Sequence, residues 1–304
     1  MVEGDRGQVV RAAGGFYDVR LDSGEVRRCT MRGRLKRERR KTDLCVIGDW
    51  VRVRDEKAPT LESIEERRNT FSRQHPGRGG KYREDVLVAN LDRLYVVFAY
   101  GERPPMRPRL LDRFLVVAEQ AGIPVTIVAN KSDLNDGADP FAPYEALGYA
   151  VVRTRATGLD AEVSELRAAF EDGTVTAFVG PSGVGKSSLL NALEPSFTLR
   201  TGLVGAHGKG RHTTRVATLH EACGGYVADT PGIRELGAFE LDRQRLDRYF
   251  VEMRPFLGRC AFGDCVHDQE PNCAVKAAVG DAISPERYES YLRLLHGEDS
   301  PVSG

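Results

Sequence analysis

The sequence predicts a multidomain α/β protein in which a small β-barrel is followed by an α/β domain and then by a mostly helical C-terminal domain. Residues 1–71 contain short runs in which apolar and polar side chains alternate, the period of half-buried strands. Residues 86–236 contain near-continuous apolar runs separated by segments with helical spacing, the pattern of a doubly wound sheet. Residues 237–304 are helix-like around a loop that holds cysteines and a histidine. Residues 72–85 are rich in arginine, glycine and polar residues and are predicted to be a linker.

The composition predicts a cytoplasmic globular protein. The 304 residues are 41% hydrophobic and 29% charged, as in ordinary globular proteins. The formal net charge is zero, so the overall charge does not indicate a nucleic-acid-binding protein. No apolar run reaches the roughly 18 residues that a membrane span needs, and the N-terminus lacks the apolar stretch of a signal peptide. Six cysteines are too few for a disulfide scaffold. We therefore expect no membrane partner, and we expect a monomer because nothing in the sequence demands a dimer.

The first domain is predicted to be an oligonucleotide-binding (OB) barrel. Alternating runs that begin at Gly7, Gly15 and Gly48 predict strands, and Asp22-Ser-Gly-Glu predicts a hairpin turn. Several short strands within about 70 residues favour a small barrel of the OB type. Residues 27–41 hold nine Lys or Arg and one acid, a local net charge of +8. On such a barrel this basic patch indicates contact with an RNA backbone, and a solvated charged loop is the alternative interpretation.

The α/β domain is predicted to contain parallel strands that are buried on both faces. The four apolar runs that predict them are 94–99, 125–129, 150–152 and 175–179. A phosphate loop follows the last run, where glycines let backbone N–H groups converge on phosphate oxygens at a helix N-terminus. Lys186 would reach the β and γ phosphates, and the Ser187 hydroxyl would bind Mg²⁺. The expected nucleotide contacts in this loop are Gly180, Pro181, Ser182, Gly183, Val184, Gly185, Lys186, Ser187 and Ser188.

Asn130-Lys131-Ser132-Asp133 follows the second apolar run and predicts a guanine-recognition loop. The Asp133 carboxylate can accept hydrogen bonds from guanine N1–H and the 2-amino group, a pair that adenine does not offer. Asn130 would orient the base and the loop, and the stem of Lys131 would pack along the ring. The predicted ligand is therefore GTP or GDP, with magnesium.

Asp229-Thr-Pro-Gly232 ends a further predicted strand and completes the predicted nucleotide site. Asp229 can hold Mg²⁺ through water, and the N–H of Gly232 can meet the γ-phosphate. The loop Gly208–Thr214 lies where a mobile switch belongs, and Thr214, preferred over Thr213, would complete the Mg²⁺ coordination.

Ile233 occupies the position at which many GTPases place a glutamine that orients water, and an alkyl chain cannot do this. His212 is the candidate substitute, and a merely solvated loop histidine is the alternative. The predicted catalytic residues are thus Lys186, His212 and Thr214. We expect slow intrinsic hydrolysis that a partner accelerates.

The guanine loop precedes the phosphate loop, whereas in an ordinary small GTPase the phosphate loop comes first. Both motifs lie at the carboxyl ends of parallel strands, so ligand binding requires neighbouring strands and not consecutive ones. The sequence therefore predicts a circularly permuted P-loop GTPase domain that acts as a GTP phosphohydrolase.

The C-terminal domain is predicted to bind one structural zinc ion. Cys260, Cys265, His267 and Cys273 offer three thiolates and one imidazole, which fill a tetrahedral shell and leave no open position for catalysis. The alternative is three buried free cysteines and a surface histidine. Clustering of the four within fourteen residues, beside Gly263 and Asp264, favours the metal site.

Together these motifs resemble the small-ribosomal-subunit-dependent, circularly permuted GTPase family (ribosome biogenesis GTPase A). The resemblance covers nearly the whole chain and includes Gly33-Arg-Leu-Lys, Val46-Ile-Gly-Asp-Trp-Val, Asn90-Leu-Asp-Arg, Asn130–Asp133, Gly180–Ser188, Gly210-Arg-His-Thr-Thr, Asp229-Thr-Pro-Gly-Ile and the Cys/His set. It implies an OB barrel, a GTPase domain and a zinc domain. It also implies that the chain binds the small ribosomal subunit and its rRNA in late maturation, with GTP hydrolysis stimulated by the subunit.

The chain departs from the family pattern at three places. Arg155-Ala156 stands where Ser-Ala is expected near guanine O6, Arg215 replaces a threonine, and the C-terminal helix stops near Gly297. Two other functions remain open from the residues alone. One is a GTP-dependent signalling switch that acts on a protein effector, which the basic barrel disfavours. The other is an RNA-binding module with vestigial nucleotide chemistry, which the intact Lys186 and Asp229 disfavour.

Overall fold

A computed structural model describes residues 4–33, 35, 45–55, 58–76, 82–156, 162–170, 172–195, 216–230 and 241–298. The strands are β1 Asp5–Ala13, β2 Phe16–Leu21, β3 Val26–Met31, β4 Trp50–Asp55, β5 Pro59–Ile64, β6 Thr70–Pro76, β7 Tyr82–Ala89, β8 Arg93–Ala99, β9 Val125–Asn130, β10 Ala150–Thr154, β11 Val175–Val179, β12 Ala217–Ala222 and β13 Gly225–Asp229. The helices are α1 Pro108–Ala121, α2 Ala142–Ala146, α3 Ser164–Ala168, α4 Lys186–Leu193, α5 Ala274–Ala277 and α6 Pro285–His296.

Strands β1–β5 form the predicted N-terminal barrel. They are hydrogen-bonded in the order β1-β2-β3-β5-β4, and an additional pairing of β4 with β1 closes the barrel. The predicted turn joins β2 to β3, where the N–H of Leu21 donates to the carbonyl of Glu25 at 2.8 Å. Alternate side chains fill the interior, with Val9, Val19 and Val51 fully buried. Closure leaves the barrel without free strand edges.

The α/β domain has the strand order β10-β9-β8-β11-β13-β12, and the four apolar runs are its predicted strands β8, β9, β10 and β11. All neighbouring pairs are parallel except β13 and β12, which are antiparallel. Helix α1 covers one face with Leu111, Phe114, Leu115 and Ala118, which recur at helical spacing and are buried. It ends at Gly122, whose left-handed backbone (φ 65°) caps the last turn.

The predicted linker, residues 72–85, is different in the structure. Strands β6 and β7 pair antiparallel from Thr70↔Ala89 to Pro76↔Tyr82 and so include both ends of that segment. Phe71 and Val88 are buried at the inner end of the hairpin. The strands at the two ends of the segment were not predicted because its polar composition carries no apolar periodicity, whereas strand pairing uses backbone N–H and C=O groups that nearly every residue has.

The barrel is joined to the α/β domain through a buried polar cluster. The guanidinium of Arg67 donates to both oxygens of Asp49, at 2.7 and 2.9 Å, and Asp49 is fully buried. The Asn90 amide donates to the carbonyl of Gly48 at 2.9 Å. Because a buried carboxylate is tolerated only when it is paired, this cluster fixes the barrel to the start of β8. Two motifs of the family resemblance, Val46–Val51 and Asn90–Arg93, therefore form an interdomain joint.

The C-terminal domain packs on α1. Its 3₁₀ turns, Arg243–Tyr249 and Val251–Phe256, and its helices α5 and α6 share one buried apolar cluster. The cluster contains Leu246, Phe250, Met253, Val275, Ile283, Tyr291 and Leu294, together with Val116 of α1. This domain is therefore built onto the helix that follows β8.

A buried ion network reinforces that contact. The Arg287 guanidinium of α6 donates to Glu252 at 2.6 Å and to Asp112 of α1 at 2.6 Å, and Tyr144 donates to the same Asp112 oxygen at 2.9 Å. All four side chains are buried. Loss of one partner would leave an uncompensated charge in the interior, so the network holds the two domains in one arrangement. No helix in the described part of the chain is both long and apolar enough to cross a membrane.

Candidate nucleotide site and metal centre

The predicted nucleotide motifs meet at one edge of the sheet. Strands β9, β8, β11 and β13 are consecutive neighbours and all parallel, so their carboxyl ends lie side by side. Asn130 ends β9, Gly180 follows β11, and Asp229 ends β13. The sheet therefore brings together motifs that the chain presents in permuted order, at the edge where open α/β sheets bind ligands.

The phosphate loop has the backbone that glycine permits. Gly180 (φ 140°) and Gly185 (φ 97°) are both in conformations that other residues rarely adopt. A Cβ atom at Gly180 would collide with the Val97 carbonyl, and one at Gly185 would collide with the Asn130 amide. The Lys186 ammonium lies within the loop, where it donates to the carbonyls of Gly180 at 2.7 Å and Pro181 at 2.6 Å. Helix α4 begins at this lysine and directs its N-terminus at the loop.

The guanine loop contacts the phosphate loop directly. The Asn130 side chain is 2% exposed, and its Nδ2 donates to the carbonyl of Val184 at 2.8 Å. The Lys131 ammonium donates to the carbonyls of Gly183 and Arg103, both at 3.0 Å. Asp133 lies exposed in a 3₁₀ turn, Ser132–Leu134, so its carboxylate is accessible to a ligand. Two loops about fifty residues apart are thus hydrogen-bonded to each other.

The structure also shows two contacts that the sequence did not predict. The carbonyl of Arg103 holds Lys131, and the hydroxyl of Thr154 donates to Asn130 at 3.0 Å. A backbone carbonyl leaves no signal in the sequence, because every residue carries one. Thr154 follows the apolar run of β10, and its position at a strand end is the only signal that points to it.

Only some of the residues predicted to bind magnesium lie in the described part of the chain. Asp229 pairs with Thr218 of β12 across the antiparallel edge, and Ser187 is buried in the first turn of α4. The remaining predicted residues, Gly232, His212, Thr213, Thr214 and Ile233, lie outside the described residues. Their roles stay predictions.

The Cys/His set has the geometry of a tetrahedral metal site. The Nδ1 atom of His267 lies 3.5, 3.4 and 3.3 Å from the Sγ atoms of Cys260, Cys265 and Cys273, and the Cys260 and Cys273 sulfurs are 3.8 Å apart. Zinc–sulfur bonds of about 2.3 Å and zinc–nitrogen bonds of about 2.0 Å at tetrahedral angles place ligand atoms about 3.5 to 3.8 Å apart. All four ligand atoms lie within 4.8 Å of one another, so the cluster could hold one metal ion.

Groups around the cluster orient its imidazole. The Asp247 carboxylate lies 3.4 Å from Nε2 of His267, which leaves Nδ1 for a metal. This hydrogen bond raises the pKa of His267 to about 9, and burial of the ring opposes the rise. The hydroxyls of Tyr288 and Tyr291 donate to the carbonyls of His267 and Val266, both at 2.7 Å. Helix α6 thereby supports the backbone that carries the histidine.

The described part of the basic patch is partly neutralised within the barrel. Arg27 is hydrogen-bonded to Glu25 and Asp5, and Arg32 is hydrogen-bonded to Glu62. Arg28 instead lies over the ring of Phe16, 4.7 Å from its centroid, and Phe16 is half exposed. Residues 36–41, which carry most of the remaining positive charge, lie outside the described residues.

Comparison with known proteins agrees with this architecture. A statistical model of the RsgA GTPase matches residues 64–239, and a model of the RsgA N-terminal domain matches residues 6–60. The chain is 45% identical over 308 residues to the small ribosomal subunit biogenesis GTPase RsgA of Gemmatimonas aurantiaca, with 97% of each protein covered. It is 40% identical over 301 residues to the protein of that name from Pseudomonas aeruginosa, covering 95% of this chain and 84% of that one.

Two crystal structures share the fold. YjeQ from Thermotoga maritima has a TM-score of 0.75 and 31% sequence identity, and the match covers 96% of this chain and 98% of that one. YloQ, described as a circularly permuted GTPase, has a TM-score of 0.74 and 30% identity, covering 99% of this chain and 97% of that one. The family model matches more than half of the chain, a relative that is 45% identical matches 97% of it, and the sheet has the permuted order. The chain belongs to the RsgA GTPase family.

Proposed function

We propose that this GTPase binds the small ribosomal subunit and acts in its late maturation, where it hydrolyses GTP to GDP and phosphate under stimulation by the subunit. The observation that most strongly supports GTP binding is the direct contact of Asn130 and Lys131 with the phosphate loop. The subunit is proposed because relatives that match 96–97% of the chain are named for small-subunit biogenesis. The same names favour this function over a signalling switch with a protein effector. The place of action would be the cytoplasm, and one copy suffices because both loops belong to one chain.

In the proposed site each loop recognises a different part of the nucleotide. The exposed Asp133 carboxylate would accept from the guanine N1–H and 2-amino groups, with Ser132 beside it and the stem of Lys131 along the ring. The backbone N–H groups of residues 180–188 and the Lys186 ammonium would bind the phosphate oxygens, as cationic and N–H donors do at helix N-termini.

Hydroxyl and carboxylate oxygens at the phosphate end suit Mg²⁺, which prefers oxygen ligands. Ser187 would coordinate the ion directly, Asp229 through water, and Thr214 would complete the shell. When bound, magnesium would neutralise charge on the β- and γ-phosphate oxygens. Gly232 would donate its N–H to the γ-phosphate, and His212 would orient the attacking water.

The metal centre would hold one structural zinc ion through Cys260, Cys265, His267 and Cys273. Three thiolates and one imidazole are a ligand set that zinc prefers, and the interatomic distances fit its bond lengths. Because four protein ligands leave no open position, this ion would stabilise the fold and would not take part in hydrolysis.

The proposed RNA contact lies on the barrel. Phe16 and Arg28 are stacked on each other and are both exposed, and we infer that an unpaired base would stack on this pair. The rest of the basic patch would supply contacts to phosphates.

The function is tested by measuring GTP turnover by the purified chain with and without small ribosomal subunits. We expect slow turnover alone and an increase of at least tenfold with subunits, while large subunits serve as the control. Turnover that no subunit changes would favour the signalling switch. Absence of turnover under every condition would contradict a GTP hydrolase.

We infer that stimulation by the subunit would reach the nucleotide site through the edge of the sheet. Strand β1 of the barrel pairs with β12 at Arg11↔Thr218 and Ala12↔Ala217, and Thr218 in turn pairs with Asp229. Arg20 of the barrel forms a hydrogen-bonded ion pair with Glu221 of β12 and lies over the ring of Tyr226. Binding at the barrel can therefore displace β12, and with it the strand that positions Asp229.

Reversing either charge of this pair is expected to weaken the stimulation. In Arg20→Glu and in Glu221→Arg, like charges repel at the joint, so we expect at least a fivefold smaller increase of turnover by subunits. Intrinsic turnover should stay unchanged, because neither side chain belongs to the nucleotide site. The double variant restores the attraction and should recover the stimulation. Full stimulation in both single variants would show that the signal does not pass through β12.

A further inference from the structure

The segment between β8 and α1, residues 100–107, lies against both nucleotide loops. The carbonyl of Arg103 accepts from the Lys131 ammonium at 3.0 Å, and the same ammonium donates to the carbonyl of Gly183, also at 3.0 Å. One cation thus bridges this segment and the phosphate loop. Residue 103 therefore lies directly beside the phosphate loop, at the point where the guanine loop meets it.

Two close approaches hold the segment in this place. A Cβ atom on Gly101 would lie 3.0 Å from Cδ1 of Leu134, in the turn of the guanine loop. A Cβ atom on Gly183 would lie 3.4 Å from Cδ of Pro104. Pro104 and Pro105 also restrict the backbone, because a proline ring fixes φ. These contacts use backbone and apolar atoms, so they do not depend on the side chain of the arginine that lies between them.

The side chain of Arg103 is available to a ligand. It is exposed, and within the described part of the chain its guanidinium makes no hydrogen bond and no ion pair. Arg109, in the first turn of α1, differs because its guanidinium donates to Glu289 of α6 at 2.6 Å. A guanidinium has a permanent charge and N–H donors in a planar fork, which suit phosphate oxygens. Arg103 thus offers a phosphate-binding group at the side of the phosphate loop.

The contact with Lys131 indicates which phosphate Arg103 would meet. In the proposed site the stem of Lys131 lies along the guanine ring, and its ammonium ends at the phosphate loop. Arg103 contacts that end, so it lies where a bound nucleotide passes from the ribose to its phosphates. The first phosphate there is the α-phosphate, whereas Lys186, held by the carbonyls of Gly180 and Pro181, would bind the β and γ phosphates.

We propose that Arg103 is a further nucleotide-binding residue, whose guanidinium donates to the α-phosphate of bound GTP and GDP. This role rests on the proposed nucleotide site. The α-phosphate keeps its bonds and its charge while the γ-phosphate is transferred to water, so the contact stabilises substrate and transition state equally. It therefore lowers KM and leaves kcat unchanged.

Two substitutions separate the charge of Arg103 from its geometry. Arg103→Gln removes the charge and keeps a long polar side chain, and we expect the affinity for GDP to fall about tenfold, because a charge-assisted hydrogen bond is lost. Arg103→Lys keeps the charge without the planar fork, so we expect a loss of about threefold. Both variants keep the carbonyl that holds Lys131, and the changed side chain is exposed. Their melting temperatures should therefore stay close to that of the wild type.

Arg109→Gln is the matched control. It removes the same charge from the same stretch of chain, but the Arg109 guanidinium is paired with Glu289 of the C-terminal domain. Both partners are exposed, so loss of the pair should change stability little. We expect GDP affinity and KM for GTP to match the wild type in this variant.

The experiment combines calorimetric titration with GDP, steady-state GTP turnover and thermal unfolding, all on the full-length variants. In Arg103→Gln, KM for GTP should rise about tenfold, in step with the GDP dissociation constant, while kcat stays within about twofold of the wild type.

Four results would contradict the role of Arg103. GDP affinity of Arg103→Gln within about twofold of the wild type would overturn it while the nucleotide site stands. A lower kcat at constant KM would place the guanidinium at the γ-phosphate and would also overturn it. An equal loss of affinity in Arg109→Gln would reveal a general effect of charge and no specific contact. Failure of the wild-type chain to bind GDP would overturn both this role and the proposed function.

Discussion

Replacing Lys186 with alanine is expected to reduce GTP turnover more than a hundredfold, both alone and with small subunits. The ammonium lies inside the phosphate loop, within 2.7 Å of the carbonyls of Gly180 and Pro181, where it would face the β and γ phosphates. Removing one preorganised donor from such a site typically lowers kcat by about 10² to 10³. The helix N-terminus and the loop amides remain, so some nucleotide binding should survive.

Turnover at saturating GTP measures this effect, and Lys276→Ala provides the control. Lys276 also donates its ammonium to a backbone carbonyl, that of Glu270 at 3.2 Å, but it lies in the C-terminal domain. The control variant should turn over GTP like the wild type, and both variants should give the wild-type far-ultraviolet circular dichroism. Turnover by Lys186→Ala within tenfold of the wild type would mean that this lysine does not contact the phosphates.

The nucleotide loops could be predicted from the sequence because their chemistry is local. The phosphate loop needs glycines at fixed spacing before Lys186, and the structure gives Gly180 and Gly185 the backbone angles that this spacing implies. Asn130 and Asp133 were predicted for the same reason, since they directly follow an apolar strand. Their side-by-side placement followed from the rule that parallel strands share one carboxyl edge.

The contacts between distant segments could not be predicted in this way. Arg20 and Glu221 are 201 residues apart, and neither residue sits in a pattern that identifies a partner. The pairing of β1 with β12 uses backbone groups, which every residue has, and β12 itself carries polar residues such as His220 and Glu221 at its exposed positions. Thr154 was missed because a threonine at a strand end is common and is significant only once Asn130 lies beside it.

The metal centre has features that could be predicted from the sequence and features that could not. The four candidate ligands were identified from their spacing, but Asp247 and Tyr288, which contact the histidine, lie about twenty residues away on either side. The backbone of the loop is also unusual, because His267 (φ 61°) and Asn272 (φ 54°) both adopt left-handed conformations. Such conformations are costly for residues other than glycine and persist when the surroundings enforce them. We propose that a bound metal would provide that constraint through the four candidate ligands, since residues 260–273 contain no helix or strand.

Replacing Cys273 with serine is therefore expected to remove the metal and to unfold the loop between residues 260 and 273. Cys273 would supply one of the four ligand atoms, and its sulfur also caps α5, 3.4 Å from the N–H of Lys276. Structural zinc contributes on the order of 10 kcal/mol or more to the folding of small zinc domains. The apolar cluster beneath the loop and the Arg287 network remain, so the loss should be confined to the C-terminal domain.

Elemental analysis and hydrogen exchange of the intact chain measure this outcome. The wild type should contain one zinc per chain, and Cys273→Ser should contain less than a tenth of that amount, with fast exchange confined to the loop. Cys223→Ser is the control, because Cys223 lies in the α/β domain with its sulfur near the carbonyl of Leu193 and does not belong to the Cys/His set. Chelation of the wild-type metal should reproduce the exchange pattern of Cys273→Ser. Full zinc occupancy in that variant, or a loop that stays protected after chelation, would show that the metal does not hold this loop.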